Sequence, residues 1–221
     1  MNDRFFALPP ERRQAILAAA YRVFAGADYE HASMSAIAEE ARVSKSLLFH
    51  YFTNKRELYL YLWKSAAKLT GEAIRAEHAY ETHNLFEILR RTTRAKCAVM
   101  RTYPYINAFA TRAYYETEPQ VSAEIRASVA AYSDSGERML ANLVDPSCLR
   151  PDVSVEEAYR LFVMASDGYM LAREREGTVD PDRIEREFMQ IIDHWERVYG
   201  PANASRPDPS KETSYMKSRP D

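Results

Sequence analysis

The sequence predicts an all-α protein, with an N-terminal three-helix unit followed by a larger helical body, about nine helices in all. Only six glycines occur in 221 residues. Ala, Leu, Glu and Arg recur at spacings of three and four almost throughout, the period that gathers side chains on one face of an α-helix. No stretch has the alternating pattern of a half-buried strand.

The first helix is expected to begin near Pro10, because proline at the first helical position gives up no hydrogen bond, and to end near Gly26. Ile16, Leu17, Ala20, Tyr21 and Phe24 form its apolar stripe. Helices over residues 33–41, 44–52 and 54–78 follow in quick succession, so the turns between them are tight. Ser33, Ser44 and Asn54 are placed as N-caps, whose side-chain oxygens accept from otherwise unpaired backbone N–H groups. Further helices are expected over 85–102, 104–117 and 118–144, punctuated by Pro104, Pro119 and Pro146, since proline is poorly tolerated inside a helix. The last two span 154–176 and 180–199. Ser154 opens Ser-Val-Glu-Glu, a capping box with Glu157 at the third helical position. Residues 200–221, with Pro201, Pro207, Pro209 and Pro220 among Ser, Lys and Asp, have almost nothing to bury and are expected to form a disordered tail.

Apolar residues at 46% and charged residues at 28% fit a soluble globular chain. No run of about 18 apolar residues occurs, and the segment MNDRFFALPPERRQ lacks the basic-then-apolar order of a signal peptide. A cytoplasmic protein without a membrane partner is expected. Cys97 and Cys148 fall in separate predicted helical segments away from any Cys/His cluster, so they are read as buried small hydrophobes. His78 and His83 stand five apart, whereas helical metal-ligand pairs stand three or four apart, so they are read as solvated. No Gly-rich phosphate loop, HExxH pair or nucleophile–base constellation is found; no catalytic residue, metal or cofactor is expected.

A net charge of −2 argues against a chain that coats nucleic acid over its whole surface but leaves room for a local basic face. Residues 33–58, SMSAIAEEARVSKSLLFHYFTNKREL, supply one. A short helix, a three-residue turn and a second short helix have the spacing of a helix-turn-helix, whose second helix enters the major groove. Met34, Ile37, Ala38, Ala41, Val43, Leu47 and Leu48 are spaced to close the small core between them. From residue 42 to 56 there are four basic residues, Arg42, Lys45, Lys55 and Arg56, and no acidic one. Hydroxyls and aromatics lie between them, the mixture that phosphate contact requires.

These residues carry a resemblance. FAGADYEHASMSAIAEEARVSKSLLFHYFTNKRELYLYL resembles the DNA-binding domain of the tetracycline-repressor (TetR) family across residues 10–62. The matching features are Phe24 and Tyr29 around the first turn, Ser33, Ile37-Ala38, Val43-Ser44-Lys45, the aromatic run 48–52, Asn54-Lys55 and Glu57-Leu58. The resemblance implies a helix-turn-helix domain over 1–53 and a ligand-binding and dimerisation domain over 54–199. It also implies a homodimeric transcriptional regulator, a repressor that binds a palindromic operator in double-stranded DNA and is released by a small molecule. Ser33 and Lys55 are implied on phosphate, and Lys45 and Ser46 at the groove-facing start of the recognition helix. Phe49, His50 and Tyr51 stand at its end, with Arg42 and Ser44 beside them. Ser33 and Ser44 serve equally as plain caps. Three residues depart from the family pattern. Phe49 replaces a usual Tyr and lacks its hydroxyl. Arg42 and Asp28 replace usual glycines, and a left-handed conformation at Arg42 costs about 1 kcal/mol.

After residue 62 the resemblance fades. Residues 99–115 concentrate Met100, Tyr103, Tyr105, Phe109, Tyr114 and Tyr115 beside a proline, with Trp63 on the preceding long helix. They suit a pocket for a small hydrophobic or aromatic effector, and equally an ordinary helical core. Tyr159, Phe162, Ser166 and Tyr169 form one late stripe, and Phe188, Ile191 and Trp195 another. Two such helices from each protomer make a four-helix dimer interface, or within one chain a monomeric bundle core.

Overall fold

Four helix starts in the computed structural model are fixed by the side chains that the sequence marks as caps. Ser33 Oγ accepts from the Ala36 N–H at 3.1 Å and Ser44 Oγ from Leu47 at 3.1 Å. Asn54 Oδ1 accepts from Glu57 at 2.8 Å and Ser154 Oγ from Glu157 at 3.1 Å. Each such cap stabilises its helix by about 1 kcal/mol. At Asn54 the Glu57 carboxylate also reaches back, accepting from the N–H of Thr53, one residue before the cap, at 2.6 Å.

The structure describes residues 3–177 and 179–201; the tail expected over 202–221 lies outside them. Ten α-helices and no strand occur among the described residues. In order they are α1 (Asp3–Phe6), α2 (Pro10–Gly26), α3 (Met34–Glu40), α4 (Lys45–Tyr51), α5 (Lys55–Ala76), α6 (Leu85–Thr102), α7 (Ile106–Tyr114), α8 (Pro119–Leu143), α9 (Val155–Arg175) and α10 (Pro181–Tyr199). A 3-10 turn at Pro146–Cys148 precedes α9. Of the ten, α7 is shorter than its sequence signal. It starts at Ile106 because Tyr103, Pro104 and Tyr105 turn the chain, and it stops at Tyr114. No helix among the described residues is long and apolar enough to cross a membrane.

α5 is the shared strut. It packs on α6, α7 and α8, while α2 packs on α3, α5 and α7, and α6 packs along α10. The early apolar stripe behaves as read: Ile16, Ala20, Tyr21 and Phe24 are fully buried. Cys97 is buried too, whereas Cys148 is only half-buried, and both are free thiols.

The helix missing from the sequence reading is α1. One turn carries no periodicity to detect, yet its Phe5 is fully buried, with ring centroids 4.9 Å from Phe52, 5.8 Å from Tyr51 and 5.8 Å from Tyr61. A buried aromatic truncated to alanine costs about 3–5 kcal/mol through lost burial and the cavity left behind. Phe5→Ala should therefore lower the urea midpoint markedly; an unchanged midpoint would show α1 to be only loosely docked.

Candidate nucleic-acid interface and ligand cavity

The helix-turn-helix is built from α3, a turn and α4. Arg42 adopts φ 52°, the left-handed conformation expected where glycine is usual. Its N–H donates to Glu39 O at 3.0 Å, and Val43 N–H donates to Ala38 O at 2.9 Å. That pair of bonds is the Schellman closure of α3 and explains why this residue must turn left. Arg12 also donates to the Arg42 carbonyl at 3.2 Å. Inside the unit Met34, Ile37, Ala38, Ala41 and Leu48 are buried. On the outer side Ser33, Arg42, Ser44, Lys45, Ser46 and His50 are exposed, and Phe49 is 41% exposed. Ser44 and Ser46 pair through their hydroxyls at 3.1 Å, and His50 Nε2 lies 2.6 Å from Arg4 on α1. The N-terminus of α4 thus presents hydroxyls and cations together, a surface fitted to phosphates and base edges.

Three expected roles are corrected. Tyr51 is buried and packs on Phe5, so its ring belongs to the core rather than the outer face. Lys55 does not stretch toward open solvent: its Nζ donates to the carbonyls of Tyr29 at 2.7 Å, Glu30 at 3.0 Å and Ala32 at 3.1 Å. It also sits 4.5 Å above the Tyr29 ring. With all three ammonium protons spoken for, Lys55 rivets the start of α5 to the loop before α3. Asp28 is not left-handed. It closes its turn with its side chain, accepting from the His31 N–H at 2.8 Å, which holds its carboxyl below the ordinary aspartate range.

A polar seam joins this unit to the body. Arg112 on α7 donates to Ala25 O at 3.0 Å, and the Tyr29 N–H donates to the Glu116 carboxylate at 2.9 Å. Arg56 donates to Gln120 O at 2.6 Å and to Glu124 at 3.0 Å, and Lys64 reaches the same carboxylate at 2.9 Å. The seam thus ties α7 and the start of α8 to the end of α2, the loop before α3 and the first turns of α5, the elements that flank the helix-turn-helix.

The body contains a hollow of about 220 Å³ between α5, α6, α7, α9 and α10, walled by Met100, Ile106, Phe162, Ile184 and Phe188. Asn107, Ala110, Asp167 and Met170 are common to it and to a second hollow of about 230 Å³, which holds Trp63 and Tyr114. Trp63 Nε1 donates to Ser128 Oγ at 3.0 Å. Of the pocket residues read from the sequence, Met100, Trp63 and Tyr114 thus face cavities, and Tyr105 sits in a shallow surface cleft beside Arg22. Phe109 and Tyr103 do not. Phe109 is fully buried against Tyr59 and Tyr21, and Tyr103 packs edge-on to Tyr21, so both belong to the core beneath α2. Lys96 and Asp167, absent from the sequence reading, line the first hollow. Charged residues among apolar neighbours at helical spacing are the signal by which the sequence could disclose them.

Of the pairing stripes, two residues turn inward. Phe162 and Phe188 are buried and their rings meet at 6.1 Å; Trp195 packs on Phe162 at 5.5 Å and Tyr169 on Phe188 at 4.8 Å. Tyr169 further donates to Glu187. Tyr159, Ser166 and Ile191 are half-buried. Phe162 and Phe188 therefore belong to the chain's own core, while the half-buried residues around them keep part of this face open. The uncovered face of α9 is another one, where Leu161 is 38% and Met164 66% exposed, with Ala165 and Gly168 alongside. Sequence spacing finds both faces but does not say which is turned inward.

Residues 16–62 match the family model described as bacterial regulatory proteins, tetR family. The chain is 32% identical over 146 residues to the HTH-type transcriptional activator FasR of Mycolicibacterium smegmatis, covering 61% of this chain and 61% of that relative. It is 24% identical over 163 residues to the HTH-type transcriptional repressor AcnR of Corynebacterium efficiens, covering 73% and 81%. Its fold superposes with a TM-score of 0.61 on a TetR family transcriptional regulator from Chloroflexus aurantiacus, at 22% identity over 90% of this chain and 98% of that one.

Proposed function

We propose that this chain is a DNA-binding transcriptional regulator of the TetR type, as the match over residues 16–62 and the two relatives suggest, acting as a homodimer that holds a palindromic operator and lets go when a small, mostly apolar ligand enters its body. Residues 1–53 are the reading unit and 54–199 the sensing and pairing unit. The observation that carries this reading is the seam: Arg112, Glu116, Arg56 and Glu124 tie the α7–α8 elements around the cavities to the loops around the helix-turn-helix. Ligand shifts the population only by binding the released geometry more tightly than the DNA-holding one, and occupancy of a cavity walled by α7 supplies such a difference. Half-sites about one helical turn apart suit the two-fold dimer.

Among the residues proposed to meet DNA, Arg42, Ser44, Lys45, Ser46, Phe49 and His50 present the outer face, with Ser33 at the start of α3. Lys45 is the residue placed to read guanine, at about 1–3 kcal/mol of discrimination. Lys45→Ala should weaken operator binding roughly tenfold to a hundredfold while leaving the melting temperature unchanged. The first experiment is selection of genomic fragments by the purified protein at stated salt, because phosphate contacts make affinity salt-dependent. Enrichment of one palindrome is expected; sequence-indifferent binding would overturn the reading. Transcription in vitro from the selected site then fixes the sign. Activation is the second reading, favoured by the likeness to a relative named as an activator.

A further inference from the structure

The outward face of α4 carries one side chain that the packing of the fold does not use. At about 100° per residue, Lys45, Phe49, Ser46 and His50 fall in that order across an arc of about 140°, with Leu48 and Tyr51 on the opposite side. The structure agrees, since those four are exposed and Leu48 and Tyr51 are buried. Phe49 thus stands near the middle of the arc, between the ammonium of Lys45 and the hydroxyl of Ser46, and is 41% exposed. Phe6, the other exposed large apolar side chain of the described residues 3–53, leans on the rings of Phe5 and Tyr61 at 5.8 and 6.3 Å. Phe49 meets no aromatic ring among the described residues, and it is not among the side chains packed on the hydrophobic core. A phenyl ring on a helix surface even costs some helix propensity relative to alanine.

The surface that this face is proposed to meet narrows the role of the ring. Phosphate oxygens call for a cation or a hydrogen-bond donor, and the polar base edges of the major groove call for donors and acceptors that a phenyl lacks. The thymine C5-methyl is the apolar group that a base pair presents in that groove. Where the resemblance implies a tyrosine hydroxyl, this chain has an apolar tip of the same reach, flanked by groups suited to polar edges. We propose that Phe49 is a specificity-determining residue that packs on a thymine methyl in each half-site of the operator. The assignment rests on the reading of α4 as the helix that enters the major groove, and adds to it the base that is selected.

The full-length protein is titrated against the operator obtained from the genomic selection, with each thymine replaced in turn by deoxyuridine, which loses the methyl and keeps the pairing. At one thymine per half-site the replacement should weaken binding about fourfold, the weight of one methyl withdrawn from apolar contact, and about fifteenfold when both half-sites are changed. Phe49→Ala should melt with the wild type, because the ring supports no core, and should bind the thymine and deoxyuridine operators equally. Phe49→Leu, which keeps an apolar tip, should retain part of the preference. A thymine preference that survives Phe49→Ala overturns the assignment. So does a Phe49→Ala protein that melts lower and loses affinity equally for both DNAs, which would return the ring to the fold. A specific operator indifferent to every thymine methyl removes this assignment and leaves the operator reading standing, whereas sequence-indifferent binding in the selection removes both.

Discussion

Lys55→Met should lower the unfolding midpoint and the operator affinity together. If Lys55 were a phosphate contact, the substitution would weaken DNA binding and flatten its salt dependence by about one charge, leaving the free protein's stability alone. The geometry points elsewhere, because the ammonium satisfies the carbonyls of Tyr29, Glu30 and Ala32 and caps the Tyr29 ring. Hydrogen bonds to a charged group contribute about 1.5–3 kcal/mol, and carbonyls left partly buried without a donor add their own penalty. A loss of about 2–4 kcal/mol is therefore expected, read by urea unfolding of the DNA-free protein. Operator affinity falls as a consequence, since the loop before α3 is no longer pinned to α5. Unchanged stability with a reduced salt slope would return Lys55 to the phosphate backbone.

The second large effect is expected at Met164. It is 66% exposed on an apolar stripe with Leu161, Ala165 and Gly168. A Cβ added at Gly168 meets nothing within 4 Å, so nothing inside the chain requires a glycine there. In a two-fold interface the same patch meets itself, and a glutamate at Met164 then approaches its own copy. Like charges brought together cost several kcal/mol, whereas an exposed Met→Glu change within one chain is worth about ±0.5 kcal/mol. Met164→Glu should thus leave monomer stability intact while converting the proposed dimer to monomer in sedimentation. Operator affinity should fall by about two to four orders of magnitude as the second half-site contact is lost. A variant that stays dimeric would move the interface off α9.

What the sequence discloses depends on whether the signal is local. The caps at Ser33, Ser44, Asn54 and Ser154 are read correctly because a cap needs only a hydroxyl or amide and the next three residues. The left-handed Arg42 is legible for a similar reason, as a bulky residue at a turn position usually held by glycine. The fold class follows from periodicity alone. Faces and partners are different. Phe162 and Phe188 have the spacing of an interface, but which side of α9 meets α10 depends on contacts that no one-dimensional pattern specifies. Lys55 and Tyr51 were assigned outward by resemblance, and distant neighbours, Tyr29 and Phe5, turn them inward. Lys96 and Asp167 lie 71 positions apart and come to line one hollow only when α6 and α9 wall it together.

The docking of α1 has a practical side for anyone handling the protein. Phe5 anchors this turn on Tyr51 and Phe52, at the far end of the recognition helix, and Arg4 meets His50 there. Whatever is fused ahead of Asp3 emerges next to the groove-facing surface. An N-terminal affinity tag, especially one rich in histidine or lysine, adds its own cations where the operator is proposed to lie and inflates binding to any DNA. Purification handles belong at the other end of the chain, and footprints obtained with an N-terminal tag describe the tag as much as the reader.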